Sequence, residues 1–469
     1  MFEKILIANR GEIALRILRA CRDLRIQAVV AYSEADRDSL PVRLADEAVC
    51  IGPAAAPRSY NNIPAVISAA LVTGCDAIHP GYGFLAENAY LAEICQQVGL
   101  TFIGPTPEVI EKMGNKAEAR KVMKAAGVPL LPGTQGIVPT LTAAREAARE
   151  VGYPVVIKAV AGGGGRGMRV AWNDAELSRG YPVAQAEAES AFGNGDVYIE
   201  RFLQRPRHVE VQVLGDQHGN VVAIGERDCS LQRRHQKVLE EAPAPHLPEK
   251  VRQNLLKTAE KGARAANYWS AGTLEFLLDS DGRFYFMEMN TRIQVEHPIT
   301  EEVTSLDLVG WQIRVAAGEK LDIKPEQLTP RGHSIECRIT AEDAANDFRP
   351  SVGTVDTYVA PGGPGIRMDS HLFDGYAIPP HYDSLLGKVI TWGSTREEAV
   401  ARMERALRET VLTGVTHTIP FHREIVADPA FQRGEVHTGF IPELMDRIGT
   451  RLIDAAEEDD MPLTTASGR

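Results

Sequence analysis

A β-hairpin signal near residue 280 is the strongest local constraint on the fold of this chain. Apart from Glu275 and Glu288, residues 274–278 and 284–288 are apolar or aromatic, and they flank the turn-forming sequence Asp-Ser-Asp-Gly at 279–282. If the last Asp-Gly pair forms a two-residue turn, counting back along both strands places Glu275 directly opposite Glu288. The two carboxylates then share one face of the hairpin.

Two carboxylates on one face need a counter-charge. At a separation of about 4 Å and an effective dielectric of about 20 they repel by about 4 kcal/mol, so the pair predicts a divalent cation. Ligands that offer only oxygen favour magnesium or manganese over zinc. The register is the open point, because a one-residue slip would send Glu275 and Glu288 to opposite faces unless a bulge restores them.

Polar residues continue at every second position after the hairpin. If the chain stays extended, they all point to one side of it. A solvated strand face is the common origin of such alternation, but this strand begins Phe-Tyr-Phe-Met, with aromatic residues on both faces, which favours burial. Buried acids, amides and an arginine need partners, and a metal ion, a nucleotide phosphate or a small anion would supply them. The positions are Glu288, Asn290, Arg292, Gln294 and Glu296.

A glycine run at residues 162–167 follows a predicted strand at 153–158 that ends in Lys158. Five of these six residues are glycine, whose missing Cβ lets backbone N–H groups close around phosphate oxygens. The run is not a Walker A loop, because no Gly-Lys-Ser/Thr follows it. A flexible surface loop is the alternative, but Lys158 and Arg166 favour phosphate binding. A third polar segment, residues 226–237, is distinctive, but composition alone assigns it no role.

The N-terminal residues indicate a parallel α/β sheet. An apolar run at residues 4–8 leads through a turn into an amphipathic helix. Further buried strands are predicted at residues 26–32, 48–51 and 76–79. The first turn contains only Gly11 and no Gly-x-Gly-x-x-Gly, which removes the main sequence support for a nicotinamide dehydrogenase.

Composition excludes several classes of protein. A net charge of -12 and a pI near 5.6 argue against nucleic acid as the main partner, because binding a phosphate backbone needs a basic surface. No apolar run of about 20 residues could cross a membrane, and no targeting peptide precedes the first strand, so we expect a cytoplasmic protein. The cysteines lack zinc spacing, and each is expected to be buried: Cys21, Cys50, Cys75, Cys95, Cys229 and Cys337.

Several motifs together resemble biotin carboxylase, the ATP-grasp component of acetyl-CoA carboxylase and its relatives. The resemblance covers nearly the whole chain except the tail, and its most specific part is the string from Glu288 to Pro298. The matching segments are residues 7–14, 79–85, 158–168, 226–237, 288–298, 336–339 and 382–384.

The resemblance implies an α/β protein with three domains. A Rossmann-like parallel-sheet domain is expected at residues 1–114, and an ATP-grasp domain at 115–331, with a mobile glycine-rich lid at about 131–203. A C-terminal mixed α/β domain is expected at 332–447. Acidic and small polar residues then predict a disordered tail at 448–469.

The resemblance also implies the residues of the site. ATP would contact Lys116, Lys158, Gly164, Gly165, Glu200, Arg201, Phe202, Leu203, His208, Gln232, His235, Glu275 and Glu288. Two magnesium or manganese ions would be held by Glu275, Glu288 and Asn290. Bicarbonate would be bound by Lys237, Arg292, Gln294 and Val295, with Glu296 as the base. Biotin would meet Arg338 at its ureido oxygen, near Tyr82. Catalysis would rest on Lys237, Arg292, Glu296 and Arg338.

The implied reaction forms carboxyphosphate from ATP and bicarbonate and then carboxylates biotin. The sequence has no Ala-Met-Lys-Met biotin-attachment motif, so biotin is expected on a separate biotin carboxyl carrier protein, with a carboxyltransferase as second partner. A homodimer is also implied. The final acceptor stays open: acetyl-CoA, as in fatty acid synthesis, is the first expectation, and another acyl-CoA or pyruvate is the alternative.

Two other functions are compatible with parts of the sequence. One is a different ATP-grasp ligase, which joins an acyl phosphate to an amine or activates bicarbonate for carbamoyl transfer. The absence of a duplicated half disfavours the carbamoyl version. The other is a nucleotide-binding regulator without turnover, which Glu296 and Arg338 disfavour, because binding alone requires no base.

Five positions depart from the family pattern, all in the last third of the chain. None belongs to the implied site, so they bear on the C-terminal domain and the dimer contact. The positions are Arg349, Val352, His381, His417 and Thr418.

Overall fold

A five-stranded parallel sheet forms the first unit of the chain in the computed structural model, which describes residues 1–134, 136–160 and 168–449. Numbered along the chain, its strands are β1 Lys4–Ile7, β2 Gln27–Ser33, β3 Glu47–Gly52, β4 Ala77–His79 and β5 Thr101–Phe102. They lie in the order β3-β2-β1-β4-β5, and all neighbours are parallel, as predicted. The flanking helices are α1 Gly11–Asp23, α2 Leu40–Leu44, α3 Ile63–Val72, α4 Ala89–Val98 and α5 Pro107–Gly114.

Strand β3 differs from its prediction as a buried strand. It lies at the edge of the sheet, and among residues 48–51 only Ile51 is buried. An edge strand has a neighbour on one side only, so much of it stays open to solvent. Cys50 on this strand is exposed, and the expectation that each cysteine is buried is wrong there, while the other cysteines are buried.

A small antiparallel sheet lies within the segment predicted to be a lid. Helix α6 Lys116–Ala125 precedes this segment, whose elements are α7 Leu141–Val151, β6 Val155–Ala159, β7 Met168–Ala171, α8 Asp174–Phe192 and β8 Val197–Arg201. The strands lie in the order β7-β6-β8, and helices α7 and α8 pack with them around a separate apolar core. The glycine run at 162–167, with Gly164 and Gly165, lies outside the described residues, and its mobility stays a prediction.

An eight-stranded antiparallel sheet joins the middle of the chain to its last third. The middle contributes β9 Arg207–Gly215, β10 Val221–Arg233, β11 Gln236–Ala242, α9 Glu249–Ala265, β12 Ser270–Leu278, β13 Phe284–Asn290, α10 His297–Thr304 and α11 Leu308–Ala316. The last third contributes β14 His333–Thr340, β15 Glu342–Asp343, β16 Arg349–Pro350, β17 Gly353–Thr354, β18 Tyr358–Val359, β19 Ile366–Ser370, β20 Ala377–Ile378, β21 Leu385–Gly393, α12 Arg396–Glu409, β22 Val411–Leu412, α13 Ile419–Ala427, α14 Pro429–Gln432 and α15 Phe440–Ile448.

The strand order of this sheet is β13-β12-β9-β10-β11-β14-β21-β19. The predicted domain boundary after residue 331 lies in the link between α11 and β14, yet β11 and β14 are neighbours in the sheet. Backbone hydrogen bonds therefore run continuously across that boundary. The domain limits themselves stay a prediction.

The turn of the β12–β13 hairpin differs from the predicted two-residue turn. Leu278 pairs with Phe284, and the N–H of Asp279 donates to the carbonyl of Arg283 at 2.8 Å. Asp279 and Arg283 are the last hydrogen-bonded pair, and the turn between them contains three residues, 280–282. A turn of this length shifts the register by one position from the predicted one.

A bulge in β13 offsets this shift. Phe276 pairs with Phe286, but the next residue toward the N-terminus of β12, Glu275, pairs with Glu288, which leaves Met287 as the extra residue. One inserted residue in one strand restores the alternation that the turn displaced. Glu275 therefore lies opposite Glu288, as predicted, although two irregularities rather than none produce the pairing.

The polar alternation after the hairpin does not continue as an extended strand. Strand β13 ends at Asn290, residues 291–296 form bends and a turn, and α10 begins at His297. The condition of one extended chain from 288 to 296 is therefore not met, because the segment must bend to enter the helix.

The described chain ends just after α15, so residues 450–469 of the predicted disordered tail lie outside the described part. Among the described residues, no helix combines the length and the apolar character needed to cross a membrane.

Candidate active site

A cavity of about 1490 Å³ opens between the small sheet, the large sheet and the first unit. Its lining includes every predicted site residue that the structure describes. These are Tyr82, Lys116, Lys158, Glu200, Arg201, Phe202, Leu203, His208, Gln232, His235, Lys237, Glu275, Glu288, Asn290, Arg292, Gln294, Val295, Glu296 and Arg338.

Lys237, in β11, lies at the centre of an acidic cluster on the cavity wall. Its ammonium donates to the carboxylates of Glu210 (2.5 Å), Glu275 (2.9 Å) and Glu296 (2.6 Å). Burial favours the neutral amine, but these three carboxylates raise the pKa of Lys237 well above its usual value. Lys237 is therefore a stable cation that can neutralise an anionic substrate.

The carboxylate of Glu296 is held between two cations. One oxygen accepts from Lys237, and the other accepts from Nη2 of Arg338 at 2.8 Å. Burial opposes ionisation, but Lys237, Arg338 and Arg227 hold the pKa of Glu296 well below its usual range. The group is therefore an ionised proton acceptor, and a substrate that displaces one of these cations can deliver a proton to it.

Arg338 connects the last third of the chain to this cluster. It lies on β14, and its Nε donates to Glu240 at 2.6 Å while Nη2 bonds Glu296. Burial raises the pKa of Glu240 to about 7 against the opposing charge of Arg338. The guanidinium thus presents charged donors at a fixed position, which suits an oxygen that gains negative charge in a reaction.

Glu275, Glu288 and Asn290 supply the oxygen atoms predicted to hold a divalent cation. Burial and the neighbouring Glu275 raise the pKa of Glu288, which is the response of two carboxylates that face each other. The amide of Asn290 donates to Glu275 at 2.8 Å, which orients the amide beside the pair. Carboxylate and amide oxygens are hard ligands, so the set fits Mg²⁺ or Mn²⁺.

Lys158, near the end of β6, lines the cavity from the small sheet. Its ammonium donates to Glu200 at 2.8 Å, and Arg120 pairs with the other oxygen of this buried carboxylate. Glu200 therefore holds two cations side by side, an arrangement that suits a polyphosphate.

His208 links the nucleotide set to the metal set. Its Nε2 lies 3.1 Å from Glu275, and its Nδ1 lies 2.7 Å from the amide of Gln232. Burial disfavours the imidazolium, but the charge of Glu275 raises the pKa of His208. The histidine is thus oriented by a hydrogen bond at Nδ1 and by a charge contact with Glu275 at Nε2.

Two predicted substrate residues have partners outside the acidic cluster. Arg292 donates to Glu87 at 3.1 Å and to the amide oxygen of Asn290 at 3.3 Å. The hydroxyl of Tyr82 bonds Glu12. Both side chains line the cavity, but in this conformation each is held by an acid of the first unit or a neighbouring amide.

Sequence reasoning missed a buried arginine and its acid beneath the cluster. Arg227 has no exposed surface, and it donates to Glu210 (2.6 Å), Gln212 (2.8 Å) and Gln294 (2.8 Å). Strand β9 places His208, Glu210 and Gln212 at every second position, which is an alternation that could have revealed a polar face. Arg227 itself lies in the polar segment 226–237, where its contacts could not be read from composition.

None of the five departures from the family pattern contributes a side chain to the acidic cluster, although the hydroxyl of Thr418 donates to the main-chain carbonyl of Arg338 at 3.4 Å. Arg349 and His381 are exposed, and Val352 is exposed at the cavity mouth. His417 donates to the carbonyl of Leu412 at 2.9 Å. The buried hydroxyl of Thr418 accepts from the N–H of Thr340, and this residue also lines the cavity.

Three protein families match successive parts of the chain. The family described as "Biotin carboxylase, N-terminal domain" matches residues 1–110, and "Carbamoyl-phosphate synthase L chain, ATP binding domain" matches residues 115–324. "Biotin carboxylase C-terminal domain" matches residues 336–443. The carbamoyl-phosphate synthase family covers only the central segment and is flanked on both sides by biotin carboxylase families.

Curated relatives and solved structures agree with these matches. The biotin carboxylase of Nostoc sp. is 56% identical over 94% of this chain and 99% of the relative. Biotin carboxylase 1 of Bacillus subtilis is 54% identical over 96% of this chain and 100% of the relative.

Two solved structures share the fold at a similar level of identity. One is a biotin carboxylase–beta-gamma-ATP complex from Campylobacter jejuni. It has a TM-score of 0.90 and 48% identity over 94% of this chain and 99% of that one. The other is the biotin carboxylase domain dimer of Hydrogenobacter thermophilus 2-oxoglutarate carboxylase, with a TM-score of 0.89 and 48% identity over 96% and 99%. The chain therefore belongs to the biotin carboxylase family, ATP-grasp ligases that form a carbon–nitrogen bond.

Proposed function

We propose that this chain uses ATP, bicarbonate and Mg²⁺ or Mn²⁺ to carboxylate biotin on a separate biotin carboxyl carrier protein. The observation that carries the proposal is the Glu296 carboxylate held between Lys237 and Arg338 in the cavity. A protein that only bound a nucleotide would need no ionised base between two cations. The solved relatives support the substrates, since one was determined with MgADP, ADP and bicarbonate.

The nucleotide would lie along the wall formed by the small sheet and the hairpin. Lys116 and Lys158 would offset phosphate charge, and Glu275, Glu288 and Asn290 would hold the cation, which neutralises the phosphates when bound. The other ATP contacts would come from Gly164, Gly165, Glu200, Arg201, Phe202, Leu203, His208, Gln232 and His235.

Bicarbonate would lie next to Lys237, with Arg292, Gln294 and Val295 completing its site. Glu296 would take its proton, and the carbonate oxygen would attack the terminal phosphorus of ATP to form carboxyphosphate and ADP. Most of the rate enhancement in such a step comes from positioning and charge neutralisation. The three carboxylates around Lys237 hold the ammonium at that position.

Biotin would accept the carboxyl group beside Arg338 and Tyr82. Carboxyphosphate would separate into carbon dioxide and phosphate, the phosphate would remove the ureido N–H proton, and the nitrogen would attack carbon dioxide. Arg338 would stabilise the negative charge on the ureido oxygen. For this the guanidinium must exchange its bond to Glu296 for one to biotin, while Glu240 keeps its other side oriented.

The cellular setting belongs to the same proposal. We propose a cytoplasmic homodimer that acts in acetyl-CoA carboxylase, with a carboxyltransferase component as the second partner and fatty acid synthesis as the context. The dimeric state of the Hydrogenobacter thermophilus relative supports the homodimer. A biotin carboxylase of 2-oxoglutarate carboxylase and one of pyruvate carboxylase share the fold, which supports the proposal that the carboxyltransferase, and not this chain, selects the acceptor.

The decisive experiment measures phosphate release from ATP by the purified chain, with and without bicarbonate and free biotin. We expect activity to require bicarbonate and the divalent cation and to rise with biotin. Glu296→Gln should lower the bicarbonate-dependent rate about a hundredfold to ten-thousandfold, because the general base is lost.

The same assay separates the alternatives. Equal ATPase rates with and without bicarbonate would contradict the proposal and favour another ATP-grasp ligase. No turnover under any of these conditions, with ATP still bound, would favour a regulator.

A further inference from the structure

Lys388, in β21, is fully buried at the place where the three parts of the chain meet. Its ammonium donates to the backbone carbonyl of Val295 at 2.9 Å and pairs with Glu12 at 3.0 Å. Glu12 belongs to α1 of the first unit, and Val295 lies in the segment between β13 and α10. One side chain of the last third of the chain therefore contacts both other parts.

The segment 294–296 is anchored at every residue by a group outside it. The side-chain oxygen of Gln294 accepts from Arg227 at 2.8 Å, and the main-chain carbonyl of Gln294 accepts from the His297 ring at 2.7 Å. The carboxylate of Glu296 is held by the two cations described above. The carbonyl of Val295 is anchored by Lys388. The main-chain position of this segment, and not only its side chains, is thus determined by contacts from other elements.

A fully buried lysine needs a reason beyond stability. Moving an ammonium out of water is unfavourable, and a buried ion pair is often no more stabilising than well-packed apolar residues of the same size. Apolar residues at these positions would leave the Val295 carbonyl without its donor. Burial opposes the charge of Lys388, but the neighbouring acids, Glu12 before the others, raise its pKa and keep it charged. A charged donor makes a stronger hydrogen bond to a carbonyl than a neutral one.

We propose that Lys388 is a positioning residue for bicarbonate. It acts through the Val295 carbonyl and holds the segment 294–296 at the distance from Lys237 that the substrate requires. This inference rests on the proposed function, because the bicarbonate site is itself part of that proposal. It adds to the site a residue from the last third of the chain. Glu12 fixes the ammonium from the opposite side.

The test compares two variants that differ only in the donor to Val295. Glu12→Gln removes one buried charge and keeps an oxygen for the Tyr82 hydroxyl. Glu12→Gln combined with Lys388→Met then removes the lysine without leaving its former partner Glu12 ionised. The measurements are KM for bicarbonate, KM for ATP, kcat and the thermal midpoint of each protein.

Relative to Glu12→Gln, we expect the double variant to raise KM for bicarbonate about tenfold or more, as the loss of a charged hydrogen bond does. KM for ATP should stay within error of the Glu12→Gln value, and the thermal midpoint should fall by no more than the loss of one buried hydrogen bond explains, because the Val295 carbonyl loses its donor. Lys388→Gln in the same background retains an N–H donor and should recover part of the bicarbonate affinity.

Equal bicarbonate KM values in the Glu12→Gln protein and the double variant would overturn the role of Lys388. A parallel rise in both KM values with a lower thermal midpoint would overturn it as well, because the lysine would then support the fold as a whole. If the methionine variant does not fold, Lys388→Arg decides: its longer side chain keeps the charge and displaces Val295, so an unchanged KM for bicarbonate contradicts the proposal. ATPase activity of the unsubstituted chain without any bicarbonate dependence would instead contradict the proposed function itself.

Discussion

At the residue scale, the role proposed for Arg338 belongs to one half-reaction only, the carboxylation of biotin. Arg338 bonds Glu296 and Glu240, whereas the residues proposed to hold phosphate and metal lie on α6, β6, β12 and β13. When the guanidinium is removed, Glu240 loses its hydrogen-bond partner, whereas Glu296 keeps a second partner, Lys237. The structure provides that second partner at 2.6 Å.

We predict that Arg338→Ala retains most of the slow bicarbonate-dependent ATPase activity measured without biotin. Carboxybiotin formation should fall about a hundredfold to a thousandfold, because a charged donor to the ureido oxygen is lost. The two readouts are phosphate release without biotin and labelled bicarbonate captured on biotin. The exposed Arg349→Ala is the matched control and should change neither. A joint loss of both activities would show that Arg338 supports the ATP site or the fold instead.

At the scale of elements, the β12–β13 hairpin shows that irregular backbone can preserve a functional pairing. The three-residue turn moves the register by one position, and the bulge at Met287 moves it back. Because side chains alternate along a strand, either irregularity alone would separate Glu275 from Glu288. The pairing of the two acids is thus a property of the whole hairpin.

We predict that Glu288→Gln lowers divalent-cation-dependent turnover far more than it lowers stability. The substitution removes one charge from a site for a cation, and it also relieves the repulsion from Glu275 that raises the pKa of Glu288. The thermal midpoint should therefore stay unchanged or rise slightly, while the Mg²⁺ concentration for half-maximal activity rises.

The control for this prediction is Asp281→Asn in the exposed turn of the same hairpin, which should leave both quantities unchanged. If Glu288→Gln loses thermal stability but keeps its turnover and its Mg²⁺ response, the two acids are structural.

At the scale of the whole molecule, the continuous eight-stranded sheet makes the middle and the last third of the chain interdependent. Glu241 on β11 bonds His333 on β14 at 2.8 Å and Arg396 at the start of α12 at 2.7 Å. Although burial opposes ionisation, these two partners lower the pKa of Glu241 to about 2. The ionised carboxylate therefore stabilises the packing of the last third of the chain against the middle.

The depressed pKa predicts an acid-dependent loss of stability. A carboxylate whose pKa is lower in the folded state stabilises fully above its unfolded pKa and loses this contribution as pH falls toward the folded pKa. For Glu241 the window runs from about pH 4.5 down to about pH 2, and the contribution is about 3 kcal/mol. Glu241→Gln should therefore lower the denaturation midpoint at pH 7, and its difference from the unsubstituted chain should shrink below pH 4.5.

The matched control is Glu404→Gln, which breaks an exposed ion pair on the same helix that carries Arg396. Surface pairs contribute little, so its midpoint should follow the unsubstituted chain at every pH. A Glu241→Gln midpoint that stays parallel to the unsubstituted chain from pH 7 to pH 3 would contradict the prediction.

The sequence by itself determined the local features of this protein. The apolar and aromatic strands predicted the hairpin and the pairing of its acids, and the spaced apolar runs predicted the parallel sheet. The oxygen ligands and the lysine-terminated strand indicated the metal and phosphate chemistry. These properties depend on residues close in the chain, where side-chain alternation and turn preference act directly.

Only the tertiary structure decided how distant residues meet. The three acids around Lys237 come from three different segments. The partners of Arg227 also come from distant parts of the chain. Lys388 contacts Val295 across about ninety residues of sequence. The edge position of β3 and the offsetting bulge of β13 follow from the same cause. Contacts of this kind depend on how whole elements pack and on which buried charges that packing can neutralise, and no local pattern contains that information.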